Sequence, residues 1–169
     1  GVHESCPETK FILSGFSQGA VIAGDVADEI GGGQGAVPAE NIAGVALIAD
    51  GRRQNGVGQN PGRKVGGVGA EIALQPVSGL VQPIVPGASM RGARPNGFGS
   101  LADRTFQICA PNDSVCDAPP NVSNALERAQ GLIAANGVHA QYASNSGVID
   151  GTTANQWVVG WAHQLIDGA

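Results

Sequence analysis

Aromatic residues, positive charge and long apolar runs are all scarce in this sequence. Phe, Trp and Tyr make up only 4% of the 169 residues, so we expect a core of Ala, Val, Ile and Leu. Nine Lys and Arg against 14 Asp and Glu give a net charge of -5, which offers no electrostatic attraction for nucleic acid or an anionic membrane. No apolar stretch is long enough to span a bilayer, so we expect no transmembrane segment. The length is typical of one compact domain.

Signatures of cofactor binding are also missing from the sequence. No cluster of metal-ligand residues appears, and the glycine-rich runs lack the strand-to-helix context that a phosphate loop or a dinucleotide site requires. We therefore predict no cofactor and no metal.

Cysteine occurs three times, which is an odd count. Cys109 and Cys116 are separated by seven positions, and the loop between them is able to close on itself as a disulfide ring. Cys6 then has no partner in this chain, which in a secreted protein suggests pairing with something outside it. The alternative is three reduced, buried thiols in a cytosolic protein, and composition alone leaves both possibilities open.

The most informative motif is Gly15-Phe16-Ser17-Gln18-Gly19. A predicted strand over residues 10–13 precedes it and a predicted helix over residues 19–30 follows, so the order is that of a nucleophile elbow. The serine hydroxyl becomes a useful nucleophile only when it is lifted clear of the backbone and paired with a base. We expect small residues at Gly15 and Gly19 to let the turn close.

Further strands and helices are predicted from apolar patterns. Residues 42–49 and 105–108 are expected to be buried strands, so the alternation of strands and helices indicates a parallel α/β sheet flanked by helices. Helices are predicted over 122–135 and 153–167. The helix over 153–167 carries an apolar stripe, which we interpret as core packing rather than a ligand-binding box. The stripe consists of Trp157, Val158, Trp161, Ala162, Leu165 and Ile166.

A long excursion separates the second and third strands. Residues 51–103 contain 12 glycines and 5 prolines and show no sustained helical period. Connections of this length inside a domain tend to be functional. We interpret it as a segment packed over the end of the sheet that walls a pocket for an apolar ligand. The alternative is a surface insertion with no role in the site.

A serine nucleophile needs a histidine base. His139 follows a helix late in the chain, which fits the order serine, acid, histidine of this fold. His163 lies off the apolar stripe of the last helix, and His3 precedes the first strand at the opposite end of the sheet. We therefore predict His139 as the base.

The acid is expected to follow a strand and to precede the histidine. Asp113 lies inside the proposed disulfide ring, which would fix the angle of its carboxylate. Asp117 stands just outside the ring and fits a turn, while Asp50 is a weaker candidate at the end of the second strand. The backbone N–H of Gln18 is the predicted oxyanion donor, and no loop in the few residues before the first strand is available to supply the second donor.

Two of these features resemble the cutinase family. Gly15-Phe16-Ser17-Gln18-Gly19 resembles the G-[YF]-S-Q-G elbow of cutinases, in which Gln follows the nucleophile. Cys6 stands eleven residues before Ser17, as does the cysteine that cutinases pair with one near their N-terminus.

The remaining motifs extend the resemblance to about residue 142. Asp103-Arg104, with Cys109, Asp113 and Cys116 after it, resembles the segment D-R…C-x₃-D-x₂-C that carries the catalytic aspartate inside a disulfide. His139-Ala140-Gln141-Tyr142 resembles the H-x-x-Y that carries the base. The interval from Asp113 to His139 is longer than in compact fungal cutinases, and the chain looks most similar to the mycobacterial-type, cutinase-like lipases.

The resemblance implies a secreted or envelope-associated serine esterase with Ser17, Asp113 and His139 as its triad. It implies lipid carboxylic esters or acyl thioesters as substrates, with phospholipase A and thioesterase activities among the relatives. It also implies that residues 1–169 are the C-terminal part of one α/β-hydrolase domain, without the N-terminal strands, the partner of Cys6 and the second oxyanion donor. The alternatives are a non-catalytic envelope fragment and an acyltransferase that uses the same triad.

Overall fold

A parallel sheet of three strands forms the centre of the computed structural model, which describes residues 1–134 and 137–169. The strands are β1, Phe11–Phe16, β2, Ile42–Ile48, and β3, Thr105–Ile108, in the order β1-β2-β3. β2 pairs in parallel with both neighbours, with Leu13 opposite Val45 and Ile48 opposite Ile108. The predicted parallel α/β class is confirmed.

Six α-helices surround the sheet in the described part of the chain: α1, Val2–Ser5; α2, Gln18–Gly31; α3, Ala70–Ala73; α4, Ser78–Val81; α5, Ala125–Ala134; and α6, Ala154–Asp167. α2 begins directly after Ser17. α6 begins one residue after the predicted start because Thr153 is its N-cap, where the side chain accepts a hydrogen bond from the Gln156 amide. α5 is shorter than the predicted helix over 122–135, of which residue 135 lies outside the described residues.

The two faces of β2 are covered by different elements, which explains its continuous apolar sequence. On one face, Val45 and Leu47 pack with buried residues of α2, including Ala27. On the other face, α6 approaches so closely that a Cβ on Gly44 would lie 2.5 Å from the ring of Trp161. The sheet is therefore the middle layer between α2 and α6.

The core is mainly aliphatic, as expected, but the few aromatic residues contribute more than predicted. Phe98, Tyr142 and Trp161 are all buried. Trp157 and Trp161 stack with ring centroids 6.0 Å apart and both contact Phe106 on β3, at 5.3 Å and 5.8 Å. This is the packing role predicted for the two tryptophans.

The predicted apolar stripe of α6 is wrong at its last position. Ile166 is 62% exposed, whereas Leu165 reaches toward Gly44. Trp157, Trp161 and Leu165 are spaced by four residues and share one helix face, while Ile166 lies about 100° further around the axis.

The excursion over residues 51–103 contains short elements that the sequence did not indicate. It includes α3, α4 and all but the last residue of a 3₁₀-helix, Gly99–Arg104. Leu74, Val81 and Met90 pack with Ala129 of α5 in a hydrophobic cluster separate from the sheet's core. The excursion and α5 therefore form one apolar layer beside the sheet. No helix in the described ranges is long and apolar enough to cross a membrane.

Candidate active site

Ser17 occupies the sharp turn between β1 and α2. Its backbone has φ 55° and ψ −118°, a strained conformation for a residue with a side chain. Its amide donates a 2.9 Å hydrogen bond to the carbonyl of Ile48, which fixes the turn to the end of β2. The turn therefore holds the Ser17 hydroxyl at the carboxyl edge of the sheet, where ligands bind in α/β folds.

The two glycines of the elbow have different roles. A Cβ on Gly15 would lie 2.2 Å from the carbonyl oxygen of Gly19, so the turn requires glycine there. A Cβ on Gly19 would meet nothing within 4 Å. The steric role predicted for Gly15 fits the structure, and the one predicted for Gly19 is wrong.

His139 faces the Ser17 hydroxyl. Its Nε2 lies 3.0 Å from Ser17 Oγ, and the side chain is buried on the 3₁₀-helix Gly137–Ala140. The ring of Phe16 stacks on the imidazole with a centroid separation of 5.0 Å and an interplanar angle of 26°. The imidazole is therefore held by a hydrogen bond at one edge and by an aromatic ring on one face.

Asp113 binds the other side of the imidazole. His139 Nδ1 lies 3.0 Å from both carboxylate oxygens of Asp113. The Val115 amide donates to Oδ1 at 2.9 Å, and the Tyr142 hydroxyl donates to Oδ2 at 2.7 Å. Burial by itself would raise the pKa of Asp113, but the hydrogen bonds from His139, Tyr142 and Val115 lower it below its ordinary value. The carboxylate is therefore ionised at neutral pH.

The loop that carries Asp113 is closed by a disulfide. Cys109 and Cys116 are bonded, with their Cα atoms 5.9 Å apart. Both cysteines are buried, whereas Cys6 is exposed and forms no disulfide within the described part of the chain. The pairing of Cys6 with a partner outside this chain stays a prediction.

The other candidate bases and acids lie elsewhere. His163 is exposed on α6, and His3 borders a different depression beside Ile30. The Asp117 carboxylate accepts hydrogen bonds from the amides of Gly67 and Asn112. These contacts give Asp117 a structural role. The structure thus brings Ser17, His139 and Asp113 together and leaves these alternatives apart.

Asp50 belongs to a buried ionic network that the sequence analysis did not find. Arg94, whose side chain is 2% exposed, donates to both Asp50 oxygens at 2.6 Å and 3.0 Å and to Asp25 of α2 at 2.9 Å. Arg52 and Arg91 also bind Asp25. Burial alone would lower the pKa of Arg94, but its bonds to Asp50 and Asp25 raise it. No local sequence pattern signals this network, because Arg94 is 69 and 44 positions from its two partners.

A cleft of about 620 Å³ opens beside Ser17 and Gln18. Its lining comes from α2, the excursion, the Asp113 loop and α5. It combines the charged pair Glu71 and Arg91 with an apolar set that consists of Val21, Ile22, Val85, Met90, Val115 and Leu132. Residues 85–91 form one wall, in agreement with the interpretation of the excursion as a pocket wall. Gln18 is the first residue of α2, so its amide has no acceptor within the helix. Within residues 1–134 and 137–169, no group of three or more His, Cys, Asp or Glu is placed to hold a metal.

Comparison with known proteins gives one family and three curated relatives. The family model named Cutinase matches residues 1–160. A carboxylesterase Culp6 homolog of Corynebacterium glutamicum is 65% identical over 165 residues, which cover 98% of this chain and 53% of that protein.

The two other relatives are more distant. The probable carboxylesterases Culp5 and Culp7 of Mycobacterium tuberculosis are 31% and 30% identical, over 69% and 76% of this chain and 55% and 58% of their own lengths. The chain thus spans about half the length of the curated relatives it matches.

Proposed function

This chain belongs to the cutinase family, and on that premise we propose that it is a carboxylic ester hydrolase that acts through Ser17, His139 and Asp113. The observation that carries the proposal is the continuous line of contacts from Ser17 Oγ to His139 Nε2, 3.0 Å, and from His139 Nδ1 to Asp113, 3.0 Å. A nucleophile, a base and an orienting acid in hydrogen-bond contact are what acyl transfer to a serine requires.

The reaction begins at the Ser17 hydroxyl. The ionised Asp113 keeps the proton of the imidazole on Nδ1, so Nε2 is free to accept the proton of Ser17 as its oxygen attacks the ester carbonyl. The N–H of Gln18, at the start of α2, donates to the negative oxygen of the tetrahedral intermediate. His139 then protonates the leaving alcohol and an acyl-enzyme remains on Ser17. Water, activated by His139, releases the acid and restores the serine.

The apolar part of the cleft supports the proposed substrate class, lipid esters. Side chains of Val21, Ile22, Met90 and Leu132 offer an apolar surface beside the nucleophile, which suits the acyl chain of a lipid ester. The relatives are named carboxylesterases, which agrees with ester substrates. Acyl thioesters present the same carbonyl and the same acyl chain, so they belong to the proposed range.

The proposed location is outside the cytoplasm, on cell-envelope lipids. The buried Cys109–Cys116 disulfide supports an oxidising compartment, because such bonds are rare in the cytosol. The second oxyanion donor and a partner for the exposed Cys6 are proposed to come from a segment outside this chain.

A fluorophosphonate probe tests the assignment of the nucleophile. We expect one covalent adduct in the intact-mass spectrum of the protein, mapped to Ser17 and absent in Ser17→Ala. Ser14→Ala is the matched control, because Ser14 lies on β1 close to the nucleophile but takes no part in the hydrogen bonds that join Ser17, His139 and Asp113. This variant should label like the native protein. An adduct that persists in Ser17→Ala contradicts the assignment of Ser17 as the nucleophile. No adduct on the folded native protein contradicts the proposed activity and favours the non-catalytic alternative.

A second measurement separates hydrolysis from acyl transfer. With p-nitrophenyl esters of short and long acyl chains, the hydrolase predicts release of the free acid and faster turnover of the longer chains. A new ester formed with added glycerol, in preference to the free acid, would instead identify an acyltransferase with the same three residues.

A further inference from the structure

The hydroxyl of Tyr142 connects the two loops that carry the proposed base and acid. Its oxygen accepts a 2.8 Å hydrogen bond from the amide of Ala110 and donates a 2.7 Å bond to Asp113 Oδ2. The residue is 3% exposed and its ring meets that of Phe16 edge-on at 5.7 Å. Tyr142 is therefore buried, and its hydroxyl is hydrogen-bonded both as a donor and as an acceptor.

His139 and Tyr142 act on one carboxylate from the same short segment. Oδ2 of Asp113 lies 3.0 Å from His139 Nδ1 and 2.7 Å from the Tyr142 oxygen, so the two donors share it. A hydrogen bond to the charged form of a carboxylate stabilises that form and lowers its affinity for a proton. The phenol therefore competes with the imidazole for the negative charge of Asp113.

The phenol remains a donor over the whole working pH range. Burial raises the pKa of Tyr142 well above its ordinary value, and the charge of Asp113 raises it further. The hydroxyl thus stays protonated wherever an esterase of this kind would be assayed.

The other charged groups around Tyr142 stay the same when its hydroxyl is removed. Arg53 approaches from the excursion, where its Nε donates to the Cys116 carbonyl at 2.9 Å, and Asp117 follows the disulfide loop. α6 presents no charge to this side, because it lines the adjoining groove with Asn155, Val158 and Val159. Tyr142→Phe thus removes one hydrogen-bond donor and changes none of these charges.

We propose that Tyr142 is a positioning residue that fixes the Asp113 carboxylate against His139 and limits how strongly Asp113 favours the protonated imidazole. The inference rests on the proposed function, since it assigns a role within that same site. Without the phenol, Asp113 retains more negative charge toward Nδ1. Protonated His139 is then more stable, so the imidazole takes up its proton at a higher pH. Because a protonated imidazole cannot act as a base, activity is lost at a higher pH than in the native protein.

The test is the pH dependence of kcat/KM in Tyr142→Phe. We expect the acid limb of the profile to move to higher pH by about half a pH unit or more, and the plateau to fall about tenfold. Thr105→Val is the matched control, because it also removes one buried hydroxyl. That hydroxyl donates a 2.8 Å hydrogen bond to the Leu101 carbonyl and has no bond to Asp113 or His139. It should lower stability and leave the acid limb in place. Equal profiles for both variants would overturn the proposal.

The single tyrosine of the chain allows a second test that keeps the hydroxyl. Replacing tyrosine by 3-fluorotyrosine throughout the protein labels this one position and makes the phenol a stronger donor. The acid limb should then move to lower pH, opposite to the shift in Tyr142→Phe. The fluorotyrosine protein also serves as the test if Tyr142→Phe does not fold. An acid limb that stays in place or moves to higher pH in this protein would overturn the proposal.

A measurement without turnover distinguishes failure of this inference from failure of the proposed function. The pH midpoint of the His139 imidazole can be followed by NMR, with exposed His163 as an internal reference. It should rise in Tyr142→Phe and fall in the fluorotyrosine protein, even if no ester is hydrolysed. Midpoints that stay fixed in both proteins would overturn the role of Tyr142 whether or not Ser17 reacts with fluorophosphonate.

Discussion

At the scale of single residues, the Asp113 carboxylate decides which nitrogen of His139 carries the proton, and so whether Nε2 can accept a proton from Ser17. In Asp113→Asn the amide can donate to Nδ1, so the proton moves to Nε2 and the base can no longer accept from the serine. We expect kcat to fall by about four orders of magnitude while the fold is retained. Steady-state hydrolysis of a p-nitrophenyl ester, together with a thermal melt, measures both effects.

Asp117→Asn provides the control for that variant. Asp117 lies four residues further along, and its carboxylate accepts only backbone amides, from Gly67 and Asn112. Its loss should reduce stability slightly and leave kcat within about tenfold of the native value. If the two variants lost equal activity, the orienting role of Asp113 would be wrong.

The sequence alone was enough to predict these candidate site residues, because chemistry and chain order restrict the choice. Three histidines were available: His3 precedes the serine, and His163 lies off the apolar stripe of the last helix, which leaves His139. The network around Arg94 was not predictable in the same way. Its partners, Asp25 and Asp50, lie 69 and 44 positions away, and no local spacing signals such contacts. The contact of the Tyr142 hydroxyl with Asp113 likewise depends on tertiary structure, since the residues next to Tyr142 in the sequence give no sign of a buried carboxylate.

At the scale of elements, length and packing determined what the sequence could predict. β2, α2 and α6 were located to within one or two residues because each has a sustained apolar pattern or a clear cap. β1 extends further than predicted, through Gly15 and Phe16, because pairing with β2 continues up to the elbow. α3 and α4 have four residues each, so their helical form depends on contacts with distant parts of the chain.

The elbow gives a matched pair of glycine substitutions. Gly15→Ala places a methyl group 2.2 Å from a backbone oxygen, so the turn must deform and we expect loss of labelling at Ser17 with a clear drop in stability. Gly19→Ala adds a methyl group in open space within α2, where Ala is favoured over Gly by about 0.5–1 kcal/mol. Urea unfolding of both variants measures the difference, and equal destabilisation would contradict the assigned geometry.

The disulfide loop is a second element whose role can be measured. Replacing both Cys109 and Cys116 by Ser removes a cross-link with a separation of seven residues, and loop-closure entropy predicts a loss of about 2.5 kcal/mol. The Asp113 loop should loosen, so kcat should fall as well. Cys6→Ser is the control, because Cys6 is exposed and unbridged within the described residues. An unchanged urea midpoint in the double variant would show that the loop is held by its hydrogen bonds alone.

At the scale of the whole molecule, the ionic network joins parts of the chain that are far apart in sequence. Asp25 belongs to α2, Asp50 follows β2, and Arg94 comes from the end of the excursion. Arg91 lies on the cleft wall and binds the same Asp25 at 2.7 Å. The wall of the proposed substrate cleft is thus anchored to the helix that carries the nucleophile at its start.

Arg94→Met tests that anchorage because it keeps much of the side-chain volume and removes the charge. Asp50 is fully buried, and losing its bidentate partner should cost about 3–5 kcal/mol in the free energy of unfolding. Arg91→Met removes the ion pairs with Asp25 and Glu71 from a side chain that is 45% exposed, so its cost should stay below about 1 kcal/mol. Urea unfolding gives both values. Equal losses would mean that burial does not set the strength of this network, and that the excursion is held to the sheet by its apolar contacts instead.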